Sequence, residues 1–413
     1  MKLVKDREYP PPWLFGLIYL ATGVFAAFES TVAPFILRRA GVPVDRIATA
    51  TALIISPSIW SFAFAPVVDV GLRRRSWLIV CAGVSALFLL LALLQPLPSG
   101  LSTFSILLIA GMVPNQLITS AIGGLIATTV AQESRGRAAG WMQAGYLGGA
   151  VGAGATLWLA EHLSVRLVAI LTAGMVFLPS LLVLAINEPD KNPSGNGLFT
   201  QLTELIEEIK ACLRSPTFLE GFLTFASPVG SAAALYLFSG IAVDYHASVR
   251  TVTFVTGFAA GALTAVGSVA GGYVCDYLDR RLSYIISGVL TALASLTMLL
   301  GPYSQANYIM GSSFYALAGG FCYAAFAALA LEIVGVHSQA AATRFSLLVA
   351  IGNLPITYMA WADGQGYRTS GPRGLLGVDA AANVAAAVLL LLVLPRVCSR
   401  RPFSRKVLTE PTV

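Results

Sequence analysis

Charged side chains are scarce in this chain of 413 residues. Asp, Glu, Lys and Arg make up 11% of it, and hydrophobic residues make up 56%, whereas soluble proteins are about 25% charged. So little charge cannot cover a water-exposed globule, which excludes a soluble enzyme, a disordered chain and a secreted disulfide scaffold. A polytopic membrane protein remains.

Residues that form catalytic or metal sites are also few and scattered. The three histidines lie in separate loops, and the five cysteines form no CxxC or other ligand cluster. No phosphate-binding GxxxxGK[ST] loop occurs, which argues against a chain that hydrolyses ATP itself. The 26 basic residues form no patch typical of nucleic-acid binding. The sequence therefore predicts no enzyme activity, no cofactor, no metal site and no nucleic-acid partner.

What the chain has instead is long apolar runs. A transmembrane helix needs ~20 apolar residues, and twelve runs of this kind can be counted in the sequence. They are predicted at 13–37, 47–68, 77–96, 102–131, 138–160, 166–187, 217–243, 251–275, 283–301, 307–336, 345–362 and 375–395. The first run follows a charged arm with no obvious cleavage site, so we interpret it as a retained span.

The basic residues predict the orientation of these spans. With the N-terminus inside, 19 Lys and Arg fall in inner segments and 7 in outer loops, as the positive-inside rule requires. Both termini are therefore predicted to be cytoplasmic. No Lys or Arg lies in a predicted span. Of the acidic residues, Glu220, Glu332 and Asp379 are placed near span ends, while Glu29 lies well inside the first span.

The longest connection divides the chain. Residues 188–216 begin with a turn-rich linker and continue as Leu198 to Arg214, whose apolar spacing predicts an amphipathic helix along the inner face. Six spans precede this connection and six follow it. The predicted organisation is a six-helix half at 1–187, the linker at 188–216, a second half at 217–395 and a basic cytoplasmic tail at 396–413.

Two loop motifs recur at one spacing. Asp69 follows the second span and Asp276 the eighth, 207 residues later; Arg137 and Arg344, after the fourth and tenth spans, share the same offset. Each aspartate is followed four and five residues later by two arginines: Arg73 and Arg74, and Arg280 and Arg281. An offset close to half the chain length predicts two related six-helix halves.

The second motif resembles the loop signature of the major facilitator superfamily, G-x-x-x-D-x-x-x-R-R, from Gly272 to Arg281. The first motif departs from it in having Ala65 in place of glycine. The resemblance covers essentially the whole chain. It implies an all-α polytopic membrane protein whose twelve transmembrane helices form two pseudo-symmetric halves, working by alternating access.

Three shorter stretches are similar to AmpG-like permeases. They begin at Ala65, at Arg135 and at Ala341. That branch imports peptidoglycan fragments (muropeptides) and also includes acetyl-CoA carriers and siderophore permeases. The resemblance implies a small organic solute as the substrate.

The duplicated loop motif has a physical interpretation of its own. A carboxylate at the inner face can pair across the interface between the halves and accept hydrogen bonds from a helix N-terminus. Such contacts exist in only one arrangement of the halves, so they bias which side is open. We predict a conformational gate made of Asp69, Arg73, Arg74, Arg137, Asp276, Arg280, Arg281 and Arg344. The alternative is that the arginines only enforce topology.

Polar residues inside the bilayer are costly and therefore mark candidate sites. They concentrate in spans one, four, seven and ten, the helices that line the central cavity in the resembled family. Glu29 is predicted to couple transport to protons or to contact substrate; alternatively it faces an outer vestibule near Arg38 or Arg39. The full candidate set is Glu29, Asn115, Gln116, Thr119, Gln143, Tyr146, Tyr236, Tyr315, Tyr323 and Asn353. Hydrogen bonding between helices and aromatic packing are their alternative roles.

These observations predict a secondary active transporter that imports a small organic solute with protons, with a muropeptide as the leading substrate. It is predicted to be a monomer in the bacterial inner membrane, in contact with lipid, its substrate and protons. A siderophore or drug transporter of the same fold, and a non-transporting membrane receptor, stay open as alternatives.

Overall fold

A computed structural model describes residues 9–188, 198–252, 254–255, 259–335, 338 and 340–397. All regular structure within these ranges is helical, and they contain no β-strand. A helix satisfies its backbone hydrogen bonds internally, which is what a bilayer demands of a single spanning segment. The turn-rich part of the predicted linker, 189–197, and the basic tail from 398 onward lie outside the described residues.

Helical segments occupy all twelve predicted spans, labelled here α1 to α12. The unbroken ones are α1 Pro12–Arg39, α3 Arg74–Leu93, α4 Leu101–Thr129, α5 Arg135–His162, α6 Val165–Ala185, α9 Arg280–Leu300 and α10 Gln305–Val334. A single assigned helix, Ala341–Val397, contains both α11 (341–369) and α12 (372–397), which meet at a bend at Ser370 and Gly371. The predicted connector helix is present at Leu198–Leu213.

Three spans are assembled from shorter pieces. Span α2 consists of Val44–Ile55, Pro57–Trp60, Ser61–Ala63 and Pro66–Asp69; α7 of Pro216–Phe225, Ala233–Tyr236 and Phe238–Ile241; and α8 of Val249–Val252 and Ala260–Tyr277. Proline removes a backbone donor and clashes with the preceding turn, and Pro57, Pro66 and Pro228 stand at or beside the breaks in α2 and α7. By length and composition alone, seven stretches of the described chain suffice to cross a membrane, the last of which contains both α11 and α12.

The last two spans are longer than predicted, and this corrects the placement of two acids. The hydrophobic run of α11 ends at 362, but the helix continues to 369, so Asp363 lies within it. Asp379 was predicted near a span end and instead lies two turns inside α12, with no exposed surface. Polar residues between 363 and 370 lower the local hydropathy, so the apolar pattern ends before the helix does, although Asp363 and Gly366 are buried.

The hydrophobic core is continuous at one end of the bundle and divided at the other. Buried side chains of both halves form one cluster around the loops that carry Asp69 and Asp276; we call this the Asp end. Toward the opposite end, one cluster contains only residues from 24 to 176 and another only residues from 232 to 376. The structure is thus closed at the Asp end, and the cores of the two halves separate away from it.

Glycines of α5 allow two close helix contacts, because residues without a side chain let helix backbones approach each other. A Cβ on Gly145 or Gly149 would overlap the backbone of α1. A Cβ on Gly136 or Gly140 would overlap α8, near Gly272. The first contact lies within the N-terminal half and the second joins the halves at the Asp end. The α5 helix therefore packs closely against a helix of its own half and a helix of the other half.

Candidate functional site

The first aspartate motif ties α2 to α11. Both carboxylate oxygens of Asp69 accept hydrogen bonds from the first turn of α11: from the backbone N–H of Ala342 at 3.2 Å, and from the N–H and the hydroxyl of Thr343 at 2.8 Å each. Arg74 donates to the same carboxylate at 2.8 and 3.1 Å. Helix N-termini stabilise anions, so a buried carboxylate here has charge-assisted bonds from both halves.

The second motif repeats this arrangement between α8 and α5. Asp276 accepts hydrogen bonds from the backbone N–H groups of Gly136 at 2.8 Å and Arg137 at 3.2 Å, and Arg137 Nε donates to it at 2.7 Å. With the 207-residue offset, Gly136 corresponds to Thr343. The second aspartate therefore takes the pair of N–H groups one position further along its helix than the first does.

The arginines of the two motifs have different partners. Arg74 pairs with the motif aspartate, but in the second copy Arg280 pairs with Glu332 at 2.9 Å and Arg281 with Glu220 at 2.7 Å. Arg280 also donates to the carbonyl of Gln132, across the interface between the halves. Of the other predicted gate residues, Arg73 precedes α3 in an extended conformation, and Arg344 donates to the carbonyl of Val334 at 3.5 Å.

Sequence reasoning missed one further residue at the Asp end. Arg135 was one of the inner basic residues and began a stretch similar to AmpG-like permeases, but it was not among the predicted site residues, and it is 1% exposed. Its guanidinium donates to the carbonyl of Ala127 at 2.5 Å and to that of Leu331 at 3.2 Å. A fully buried arginine that joins the ends of α4 and α10 adds a third connection between the halves. Its position at the start of a helix, directly before Gly136, gave no signal of this burial.

Tyrosines line the space between the halves. Tyr19 and Tyr146 have ring centroids 5.6 Å apart, and Tyr146 keeps 36% of its surface accessible. Tyr236, which is 64% exposed, and Tyr323 interact with each other and with Tyr146. The structure thus brings together three of the predicted tyrosines, on α5, α7 and α10, as an accessible aromatic surface.

Glu29 lies beside this aromatic surface. It belongs to a π-helical turn, Phe28–Val32, within α1, and such turns are frequent at functional sites. The side chain is 4% exposed and Oε2 makes no hydrogen bond, while its electrostatic field reaches Tyr146. Within the described residues, no ion pair joins Glu29 to Arg38 or Arg39. Glu29 is thus a buried carboxyl next to the accessible tyrosines between the halves.

The remaining predicted site residues differ in burial and in their contacts. Asn115 is fully buried with its amide directed at Met112 Sδ at 3.9 Å, and Gln116 reaches the same sulfur at 3.7 Å. Gln143 is half-buried and Asn353 is exposed. Tyr315 has no exposed surface and donates its hydroxyl to Asp379 at 3.0 Å. Its location inside the C-terminal half separates it from the other tyrosines.

Thr119 contributes to stability through one contact. It accepts a hydrogen bond at 2.9 Å from Tyr19, which is 5% exposed. Thr119→Val is expected to lower the stability by about 1–3 kcal/mol, because a buried hydroxyl loses its partner. The measurement is thermal unfolding in detergent. Thr128→Val on the same helix is the control, since Thr128 bonds only to carbonyls of its own helix. Equal shifts in the two variants would show that the Tyr19 bond contributes nothing.

Comparison with known proteins accords with this architecture. The family model described as Major Facilitator Superfamily matches residues 14–343. The proton:xylose symporter XylE, bound to 6-bromo-6-deoxy-D-glucose, superposes with a TM-score of 0.65 at 15% identity, covering 93% of this chain and 94% of that one. The human organic anion transporter MFSD10 gives 0.69 at 16%, covering 92% and 100%.

A third structure is the E. coli fucose:proton symporter FucP, with a TM-score of 0.68 at 13% identity, covering 94% of this chain and 99% of that one. FucP in the outward conformation gives 0.67 at 12%. At these identities the likeness shows the fold. A comparison with curated protein sequences finds no match.

Proposed function

The chain belongs to the major facilitator superfamily and is a membrane transporter, and we propose that it imports a small amphiphilic solute together with protons. The leading substrate class is a muropeptide, as in AmpG-like permeases. The observation that supports proton coupling is the environment of Glu29. Its carboxyl is buried, Oε2 makes no hydrogen bond, and accessible tyrosines between the halves lie beside it. Burial of an unpaired charge is unfavourable, so Glu29 binds a proton when the cavity is closed to water.

In the proposed cycle the N-terminal half, residues 1–187, moves against the C-terminal half, residues 217–395, about the space that the tyrosines line. The contacts of Asp69 and Asp276 with helix N-termini hold the Asp end closed. In the proposed topology this end is cytoplasmic and the membrane is the bacterial inner membrane, so the structure corresponds to the outward-facing state. The connector helix joins the two halves on that side. Alternating access of this kind needs no covalent chemistry.

The aromatic surface supports the proposed substrate class. Tyr146, Tyr236 and Tyr323 present ring faces and hydroxyls together. Rings of this kind pack against apolar faces of sugars, while hydroxyls bond to sugar and peptide groups. XylE and FucP are described as proton symporters of sugars, and the proposal gives this chain a cycle of the same kind. A siderophore would use the same surface and is the competing substrate.

The deciding experiment is flux into membrane vesicles under an imposed pH gradient. Wild-type protein is expected to accumulate a radiolabelled muropeptide and no siderophore, and collapse of the gradient stops the accumulation. Glu29→Gln is expected to retain exchange of labelled for unlabelled solute at equal pH while losing gradient-driven accumulation. The neutral amide keeps the shape of the side chain but binds no proton.

The matched control is Glu161→Gln, which removes an exposed carboxylate from the far end of α5 and should transport as the wild type does. Full proton dependence in Glu29→Gln would end the role proposed for that residue. Flux of the siderophore alone would replace the substrate class. Absence of flux for both solutes would favour the receptor alternative.

A further inference from the structure

A polar cluster lies inside the C-terminal half, apart from the aromatic surface. Asp379 on α12 accepts hydrogen bonds from Ser295 Oγ on α9 at 2.5 Å and from the Tyr315 hydroxyl on α10 at 3.0 Å. The amide of Asn383 approaches the same carboxylate at 3.4 Å. All four side chains have no exposed surface. Three donors around one carboxylate are the arrangement that stabilises its ionised form.

A second carboxylate faces this cluster. Asp363, on α11, has no exposed surface, and neither of its oxygens has a hydrogen-bond partner. The group that acts on it electrostatically is Asp379, and Tyr315 interacts with both. We call Asp363 and Asp379 the acidic pair. A buried carboxyl without any donor is unusual and indicates a hydrogen or ligand at its oxygens.

The surroundings of the acidic pair offer no counter-charge. The α9 helix contributes the neutral Ser295 and α10 the hydroxyl of Tyr315, while α7 presents the backbone of Gly230 and Ala234. Within the described residues, no salt bridge involves either member of the pair. Two like charges in a desolvated site cannot both be retained. Asp379 has the donors and keeps the negative charge, so Asp363 holds the proton.

A proton fits the site better than a metal cation. A cation needs several oxygen lone pairs directed at it, but the Ser295 and Tyr315 hydroxyls point their hydrogens at Asp379. No group of three or more His, Cys, Asp or Glu suited to a metal occurs in the described part of the chain. One oxygen of Asp363 can carry the proton without any other side chain moving.

The cluster is connected to the break in α7. Asn383 donates to the backbone carbonyl of Asp379 at 2.9 Å, and its own amide oxygen accepts the N–H of Gly230 at 2.8 Å. Gly230 and Ala232 both have positive φ in this break. The break leads directly into Ala233–Tyr236, which carries the exposed Tyr236. Two hydrogen bonds therefore connect Asp379 to the break in α7, six residues before Tyr236.

We propose that Asp363 is a second proton-binding carboxyl of the transport cycle, which takes up one proton beside the ionised Asp379 and passes its charge state to the break in α7. Uptake breaks one O–H bond of a hydronium ion and forms one O–H bond on Asp363, and release reverses it. The proposal rests on the transport function above but concerns a different half of the protein from Glu29.

The test is infrared difference spectroscopy of the full-length protein in lipid, which needs no substrate. Raising the pH is expected to remove the carbonyl stretch of a protonated carboxyl in wild type, and Asp363→Asn is expected to lack that component at every pH. The control, Asp244→Asn, removes a carboxylate that pairs with Tyr367 near the surface and should keep the component. Its persistence in Asp363→Asn would overturn the proposal.

Two further arms keep the result decisive. If Asp363→Asn does not fold, wild type labelled with 13C at the side-chain carboxyl carbon of aspartate tests the assignment: a shift of the band supports an aspartate as the proton carrier, and an unshifted band overturns the proposal. Replacing choline chloride with NaCl distinguishes a proton from sodium, and loss of the band in NaCl would overturn the proton assignment. Loss of the component in Asp363→Asn supports the site even where vesicles show no muropeptide flux, so the two proposals fail separately.

Discussion

Asp276→Ala is expected to open the Asp end and to abolish transport while the protein still inserts into the membrane in normal amounts. The carboxylate receives three hydrogen bonds from the first turn of α5, one of them from the Arg137 guanidinium. Hydrogen bonds to charged groups contribute roughly 1.5–3 kcal/mol each. Even one of them shifts an equilibrium between open and closed states by about tenfold. The variant should therefore leave the closed state largely unpopulated.

The neighbouring Cys275 provides a direct measurement. It is 1% exposed in the closed structure, so its reaction with a water-soluble maleimide reports opening of the Asp end. With the other four cysteines replaced by serine, labelling is expected to be slow in wild type and fast in Asp276→Ala. Slow labelling together with normal uptake in the variant would contradict the role of this contact.

Asp279→Ala serves as the matched control for this experiment. Asp279 lies in the same loop and caps α9 through the N–H groups of Arg281 and Leu282. Its removal is expected to lower the stability by about 1 kcal/mol, as for other N-caps. Labelling of Cys275 should stay slow, because no bond between the halves is lost.

Gly140→Leu is expected to have an equally large effect by steric means. A Cβ at this position would lie 2.9 Å from the Cα of Gly272 and would overlap the carbonyl of Ser268. Both atoms belong to backbone, so neither can rotate away. Overpacking of this kind costs typically 1–3 kcal/mol, and here it acts only when the halves are together. We expect fast labelling of Cys275 and loss of uptake.

The same substitution elsewhere on α5 isolates the effect of position. A Cβ on Gly154 meets no atom within 4 Å, so Gly154→Leu should label and transport as the wild type does. Loss of activity in both variants would show that leucine harms α5 in general. Retained activity in Gly140→Leu would show that the halves do not need to come this close during transport.

The helical fold was predictable because long apolar runs are a strong signal for transmembrane helices. Long apolar runs predict spans wherever hydropathy dominates, and the spacing between Asp69 and Asp276 indicated the duplication. The contact of both aspartates with helix N-termini follows the physical interpretation made from the motif. The roles of these residues in gating stay predictions until the variants are measured.

The acidic pair was harder to predict. Asp363 follows the apolar run of α11 directly, so hydropathy assigned it to a loop. Burial there depends on α9, α10 and α12 packing around it, which no local pattern encodes. The partners of Arg280 and Arg281 were missed for the same reason: Glu332 and Glu220 are 52 and 61 positions away in the sequence. Long-range contacts of this kind need the packed structure.

The two aspartate contacts also differ in which half of the protein supplies the counter-ion. Asp69 has its counter-ion, Arg74, in its own half, whereas Asp276 takes Arg137 from the other half. When the halves part, Asp69 leaves with its charge neutralised and Asp276 leaves without its cation. Added salt is therefore expected to weaken the Asp276–Arg137 contact far more than the Asp69–Arg74 contact, so the salt dependence of opening should arise mainly on the α5–α8 side.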